Sequence, residues 1–93
     1  MKQFRWDPVK NAQLLRERQI TFEIIVWALA EGHLLDIVAH PHPERYPHQQ
    51  LLIVECNRYA YLVPCVEAGD EIFLKTIIPS RKATQQYLRK EEP

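Results

Sequence analysis

The chain opens on alternation: Phe4 and Trp6 stand between Gln3, Arg5 and Asp7, a period of two that predicts a short strand. That strand should stop at Asp7-Pro8, because aspartate suits a helix N-cap and proline suits the first helical turn. In the VKNAQLLRERQ that follows, Leu14 and Leu15 lie three and four residues after Asn11. This helix is expected to bury a narrow stripe, to show Lys10, Arg16 and Arg18 to solvent or a groove, and to end near Gln19. Thr21 can cap a second helix, TFEIIVWALAEG, with Ile20 and Ile25 as its hydrophobic staple and Gly32 as its left-handed stop. Ile25, Trp27, Ala28 and Leu29 make it apolar on nearly every side, so it should be the main element packed against a sheet, with Trp27 covered.

The rest of the chain reads mostly as strands. Leu34 to Val38 is a β-type run with Asp36 in its middle, and the three prolines of HPHPERYPH then impose a surface loop. QLLIVEC, YAYLVPCVE and EIFLKTII follow as three strands, joined by Asn57-Arg58 and Ala68-Gly69-Asp70, both suited to hairpin turns. Leu51 to Cys56 and Tyr59 to Val66 are expected to be the central strands. Pro79-Ser80 ends the last strand, and Ser80 caps a closing helix, RKATQQYLRK, with Ala83, Tyr87 and Leu88 facing inward. The fold class is therefore α+β over residues 1–93: two N-terminal helices on an antiparallel β-meander, with a C-terminal helix.

Composition narrows the picture. Ninety-three residues leave no room for a second core, and 12 basic against 12 acidic side chains give zero net charge. Any nucleic-acid site must then be local. Cys56 and Cys65 sit in apolar runs without motif spacing, and read as small buried hydrophobes of a reducing compartment. No apolar run reaches signal or membrane-spanning length, so the expected location is cytoplasmic, with no membrane partner.

Candidate chemistry is concentrated in two places. From Ile72 to Lys90 the chain carries Lys75, Arg81, Lys82, Arg89 and Lys90 and no acidic residue, a sustained basic patch in a neutral protein. His40, His42 and His48 share one loop with Arg45 and Tyr46. Histidine titrates near neutrality and serves as general acid or base, and tyrosine can stack on a nucleobase. Three imidazoles in nine residues match no standard zinc spacing, so no metal is expected. No phosphate-binding glycine loop, Ser-His-Asp order or paired-carboxylate spacing is present.

Four patches taken together, FRWDPVKN, ITFE, the ER of PERYP and LKTIIPSRKAT, resemble the BrnT-like toxins, which have the RelE/ParE-type small toxin fold. Where that family usually carries Lys-His-Gly between its first two helices this chain has Glu17, Arg18 and Gln19, and its loop is richer in histidine and proline, as in a divergent branch. The resemblance implies the toxin of a bacterial toxin–antitoxin pair: an endoribonuclease without metal or cofactor, inhibited by a ribbon-helix-helix antitoxin and reaching operator DNA only through it. Metal-free RNA cleavage needs a base for the 2′-hydroxyl, a cation for the phosphorane and an acid for the leaving 5′-oxygen. Arg81, Lys75 and Lys82 are the candidates for the cation, and His40 or His42 for proton transfer. Arg45 and Tyr46 are candidates for RNA binding, with Lys10, Arg16 and Arg18 as the opposite wall. The alternative class is a toxin-fold module that binds its antitoxin and has lost cleavage.

Overall fold

The computed structural model describes residues 2–89. Strand β1 (Gln3–Arg5) leads into helices α1 (Pro8–Arg18) and α2 (Phe22–Ala30); strands β2 (Leu34–Ala39), β3 (Gln49–Cys56), β4 (Tyr59–Ala68), β5 (Glu71–Leu74) and β6 (Ile78–Pro79) follow, and helix α3 (Arg81–Leu88) closes the chain. The strands form one sheet in the order β1-β5-β4-β3-β2, with β6 also on β4. Neighbours are antiparallel except β1, which runs parallel to β5. The class is α+β, as the sequence pattern predicts. The parallel pairing of β1 is not written in three residues.

Period-two alternation along β3 and β4 divides the core. Leu52, Val54, Val63 and Cys65 pack with Leu14, Ile20, Phe22, Ile25 and Ala28, so α1 and α2 cover one face. Ile53 and Ala60 pack with Ala83, and with Leu62, Tyr87 and Leu88, so α3 covers the other. The sheet is thus a middle layer.

Each helix begins on a side-chain cap. Asp7 accepts from the Val9 N–H, Thr21 from Ile24 and Ser80 from Ala83. Asn11 joins the first two helices: its Oδ1 accepts the Phe22 N–H and its Nδ2 donates to Glu23, both at 2.8 Å. That hydrogen bond holds the Glu23 carboxyl below its usual range. The WDPVKN and ITFE segments therefore meet in space as parts of one helix junction.

Three expectations need correction. Trp27 is 59% exposed, because α2 turns Phe22, Ile25 and Ala28 to the sheet and leaves Ile24 and Trp27 outside. In α1 only Leu14 is buried, and Leu15 is 55% exposed, since the helix rests on the sheet along a single line. EIFLKTII is also not one strand. Lys75 N–H reaches the Pro64 carbonyl at 2.8 Å, but Pro64 has no N–H to return, and β5 ends there. Lys75, Thr76 and Ile77 then stand opposite two residues, Val63 and Pro64, before pairing resumes at Ile78 and Leu62. This bulge turns Ile77 into the core, fully buried.

Candidate nucleic-acid interface

Helix α3 covers only part of its sheet face. Ser80 N–H donates to the Ala60 carbonyl, and Ala60 N–H donates to Thr84 Oγ1 at 2.9 Å, so the start of α3 is fastened to the start of β4. Beside it a cleft of about 370 Å³ opens over Val38, Leu51, Ile53 and Leu62, walled by Ser80, Lys82, Gln86 and Tyr87.

Strand register shows what surrounds this cleft. Val38 pairs with Leu51 and Leu51 with Pro64. Lys75 bonds to Pro64 in turn and is exposed, which puts it in the same cross-sheet row. His40 follows Val38 at the strand period, and its N–H still bonds to Gln49. Lys82, Lys75 and His40 therefore belong to one side of the sheet, but only Lys82 lines the cleft itself. Arg81 is exposed at the first position of α3 and is not part of the cleft wall. The first turn of α3 is partly used by its own cap, since Ser80 Oγ takes the Ala83 N–H at 3.0 Å.

The electrostatics of this face are uneven. Asp36 accepts from the Tyr87 hydroxyl at 2.7 Å, and that bond, the first of several effects, pushes the Tyr87 phenol up. Glu71 is paired with Arg5 at 2.9 Å. Asp36, bonded to the cleft residue Tyr87, is thus engaged, whereas Lys75 and Lys82 make no ion pair among the described residues.

The histidine loop is ordered by contacts of its own. The His40 and Tyr46 rings are 4.4 Å apart, and the Arg45 guanidinium lies 5.7 Å from the Tyr46 centroid. His42 N–H donates to His40 Nδ1 at 3.0 Å, so neutral His40 carries its proton on Nε2. His42 is exposed, with Nδ1 3.8 Å from Glu44. His48 goes elsewhere: it lines a separate cleft with Lys2, Gln50 and Glu67, where Lys2 and Glu67 form an ion pair. The three imidazoles do not converge.

The α1 cations are not the opposite wall of this site. Lys10, Arg16 and Arg18 belong to the helix on the other side of the sheet, a consequence of strand alternation that α1 alone cannot reveal. Arg18 is further committed to the structure, because its guanidinium donates to the Ile77 carbonyl of the bulge. The cysteines are both free and buried, and burial pushes both thiols up, which leaves neither a ready nucleophile. Lys90 lies outside the described residues. Gln86 and Tyr87 are cleft residues that the sequence reading did not assign to the site. The helical spacing of Lys82 and Gln86 was the available signal.

Comparison with protein-family models, with curated proteins and with solved structures returned no match to this chain. No helix among the described residues is long and apolar enough to cross a membrane.

Proposed function

We propose that this chain is the toxin of a bacterial toxin–antitoxin pair, BrnT-like and of RelE-type fold, and that the α3 side of its sheet binds and cleaves single-stranded RNA without a metal. The observation that carries the reading is the charge on this face: among the described residues Lys82 at the cleft and Lys75 in its cross-sheet row make no ion pair, while Asp36 beside them is engaged by Tyr87. A phosphate backbone is the ligand such a surface attracts. Lys82, with Lys75 and Arg81 on the approach, supplies positive charge for the phosphorane. Protonation of His40 at Nδ1, which replaces the His42 contact, gives an imidazolium that can donate its Nε2 proton to the leaving 5′-oxygen and return to the neutral ring. His42, exposed in the same loop, is the candidate base. Tyr46 and Arg45 offer a stacking surface for a base. The ribbon-helix-helix antitoxin would cover this face with an acidic segment, and its affinity should fall as salt rises.

One observation favours the second reading, a binding module without cleavage. Among the described residues no carboxylate is hydrogen-bonded to a histidine: Glu44 stands 3.8 Å from His42 Nδ1, and Asp36 is taken by Tyr87. RNA cleavage by the purified protein in EDTA, compared among wild type, Lys82→Ala, Arg81→Ala and His40→Ala, separates the two. Loss of about 10²-fold or more in Lys82→Ala supports the nuclease. Equal activity in wild type and Lys82→Ala removes that residue from the mechanism, and cleavage by no form transfers the proposal to the non-catalytic partner.

A further inference from the structure

The turn between β3 and β4 has two residues, Asn57 and Arg58, and both take positive φ, +53° and +64°. A turn of this kind favours Asn-Gly, because the second position is left-handed and a Cβ there is strained. Arginine gains nothing in backbone terms at φ +64°, so its side chain is the place to look for a reason. That side chain joins Arg89, just beyond α3, in lining a cleft of about 280 Å³ together with Glu55 and Leu88. Neither arginine makes an ion pair among the described residues, Glu55 included. Among the described residues two guanidinium groups face one carboxylate there, a net positive charge.

Helix α3 connects this cleft with the one at Lys82. Lys82, Gln86 and Arg89 follow one another at steps of four and three residues, and no acid interrupts residues 81–89. From Lys82 to Arg89 the helical rise covers about 10 Å, which a stacked single strand spans in about three nucleotides at its ~3.4 Å rise. Arginine is the side chain that holds two phosphate oxygens at once.

We infer that Arg58 and Arg89 form a second phosphate site, which grips the backbone of a single nucleic-acid strand lying along α3 from the Lys82 cleft. This rests on the nucleic-acid reading above and gives the site a length and a direction.

The test uses uncleavable 2′-O-methyl RNA, two or eight nucleotides long, with binding followed by fluorescence anisotropy at several salt concentrations. Arg58→Gly should weaken the eight-nucleotide strand by about tenfold and lower its salt slope by about 0.7. It should leave the two-nucleotide strand, too short to reach from Lys82 to Arg89, unaffected and raise the melting temperature by roughly a few degrees, since it relieves the turn. That opposed pair of effects cannot come from misfolding. Lys82→Ala should weaken both strands. Unchanged eight-nucleotide binding in Arg58→Gly overturns the inference while leaving the Lys82 cleft in place. Binding that depends on Arg58 but not Lys82 keeps this site and overturns the cleft. Displacement of the eight-nucleotide strand by inorganic phosphate equally in wild type and Arg58→Gly also counts against a phosphate site here. An Arg58-dependent response to inorganic phosphate without Arg58-dependent strand binding identifies a free-anion site and overturns the nucleic-acid assignment.

Discussion

Replacing Thr84 by valine isolates the contact that seats α3 on the sheet. Thr84 is 1% exposed, accepts the Ala60 N–H at 2.9 Å and donates to the Ser80 carbonyl at 2.8 Å. Valine has nearly the same shape, so Thr84→Val opens no cavity. It leaves the Ser80 carbonyl with the Thr84 backbone N–H, at 3.0 Å, as a remaining donor. Ala60 is fully buried, however, and its N–H then has no partner. An unsatisfied buried donor costs about 1–3 kcal/mol, which for a chain of this size lowers the melting temperature by roughly 4–8 °C per kcal/mol. Thr84→Ser keeps both hydrogen bonds and loses one methyl, at about 1 kcal/mol. The assay is thermal and urea unfolding of the three proteins, with amide exchange at Ala60 in the native state. The expected order is wild type, then Ser, then Val, with early exchange at Ala60 in Val alone. A valine variant as stable as wild type, with Ala60 still protected, would refute the argument.

Other expectations follow from single residues. Phe22→Ala should cost about 3–5 kcal/mol in urea unfolding, because Phe22 is fully buried and stacked on Trp6, whereas Trp27→Ala should cost well under half as much. Gln19 sits at φ +56° at the end of α1, so Gln19→Gly should raise stability by up to about 1 kcal/mol; a lower melting temperature would contradict it. Tyr87 is held above the usual phenol range by Asp36, so its contribution to stability is complete below the unfolded phenol pKa and is lost as pH rises through the raised folded value. In a spectrophotometric alkaline titration, Tyr87→Phe should remove a late-titrating tyrosine. Asn11→Ala should flatten the loss of stability on acidification, because the lowered Glu23 pKa gives stability present above the unfolded carboxyl pKa and lost as pH falls through the folded one.

The motifs behind the family resemblance have visible structural work. Asp7, Thr21 and Ser80 cap the three helices, Asn11 fastens α2, and Thr84 fastens α3. Their joint occurrence is a signature of this helix-and-sheet assembly before it is one of any chemistry. Gln19 takes a left-handed backbone at the end of α1, a geometry that suits glycine.

Local physics wrote the helices, their caps, both hairpin turns and the central strands into the sequence, because capping, turn dihedrals and strand alternation involve residues within a few positions of one another. What lay beyond it was decided by partners far away in the chain. Trp27 is outside because α2 meets the sheet along the line of Phe22, Ile25 and Ala28, and a helix apolar on almost all sides does not announce which line that is. The run EIFLKTII breaks because the missing N–H belongs to Pro64 on the neighbouring strand, and Arg18 turns inward to the carbonyl of Ile77 at the bulge. The candidate site divides in the same way: the basic composition of residues 72–90 was legible, but the side of the sheet on which Lys82, Lys75 and His40 fall, and from which Lys10 and Arg16 are excluded, follows from cross-strand register. Register is a relation between distant segments, and only the packed structure fixes it.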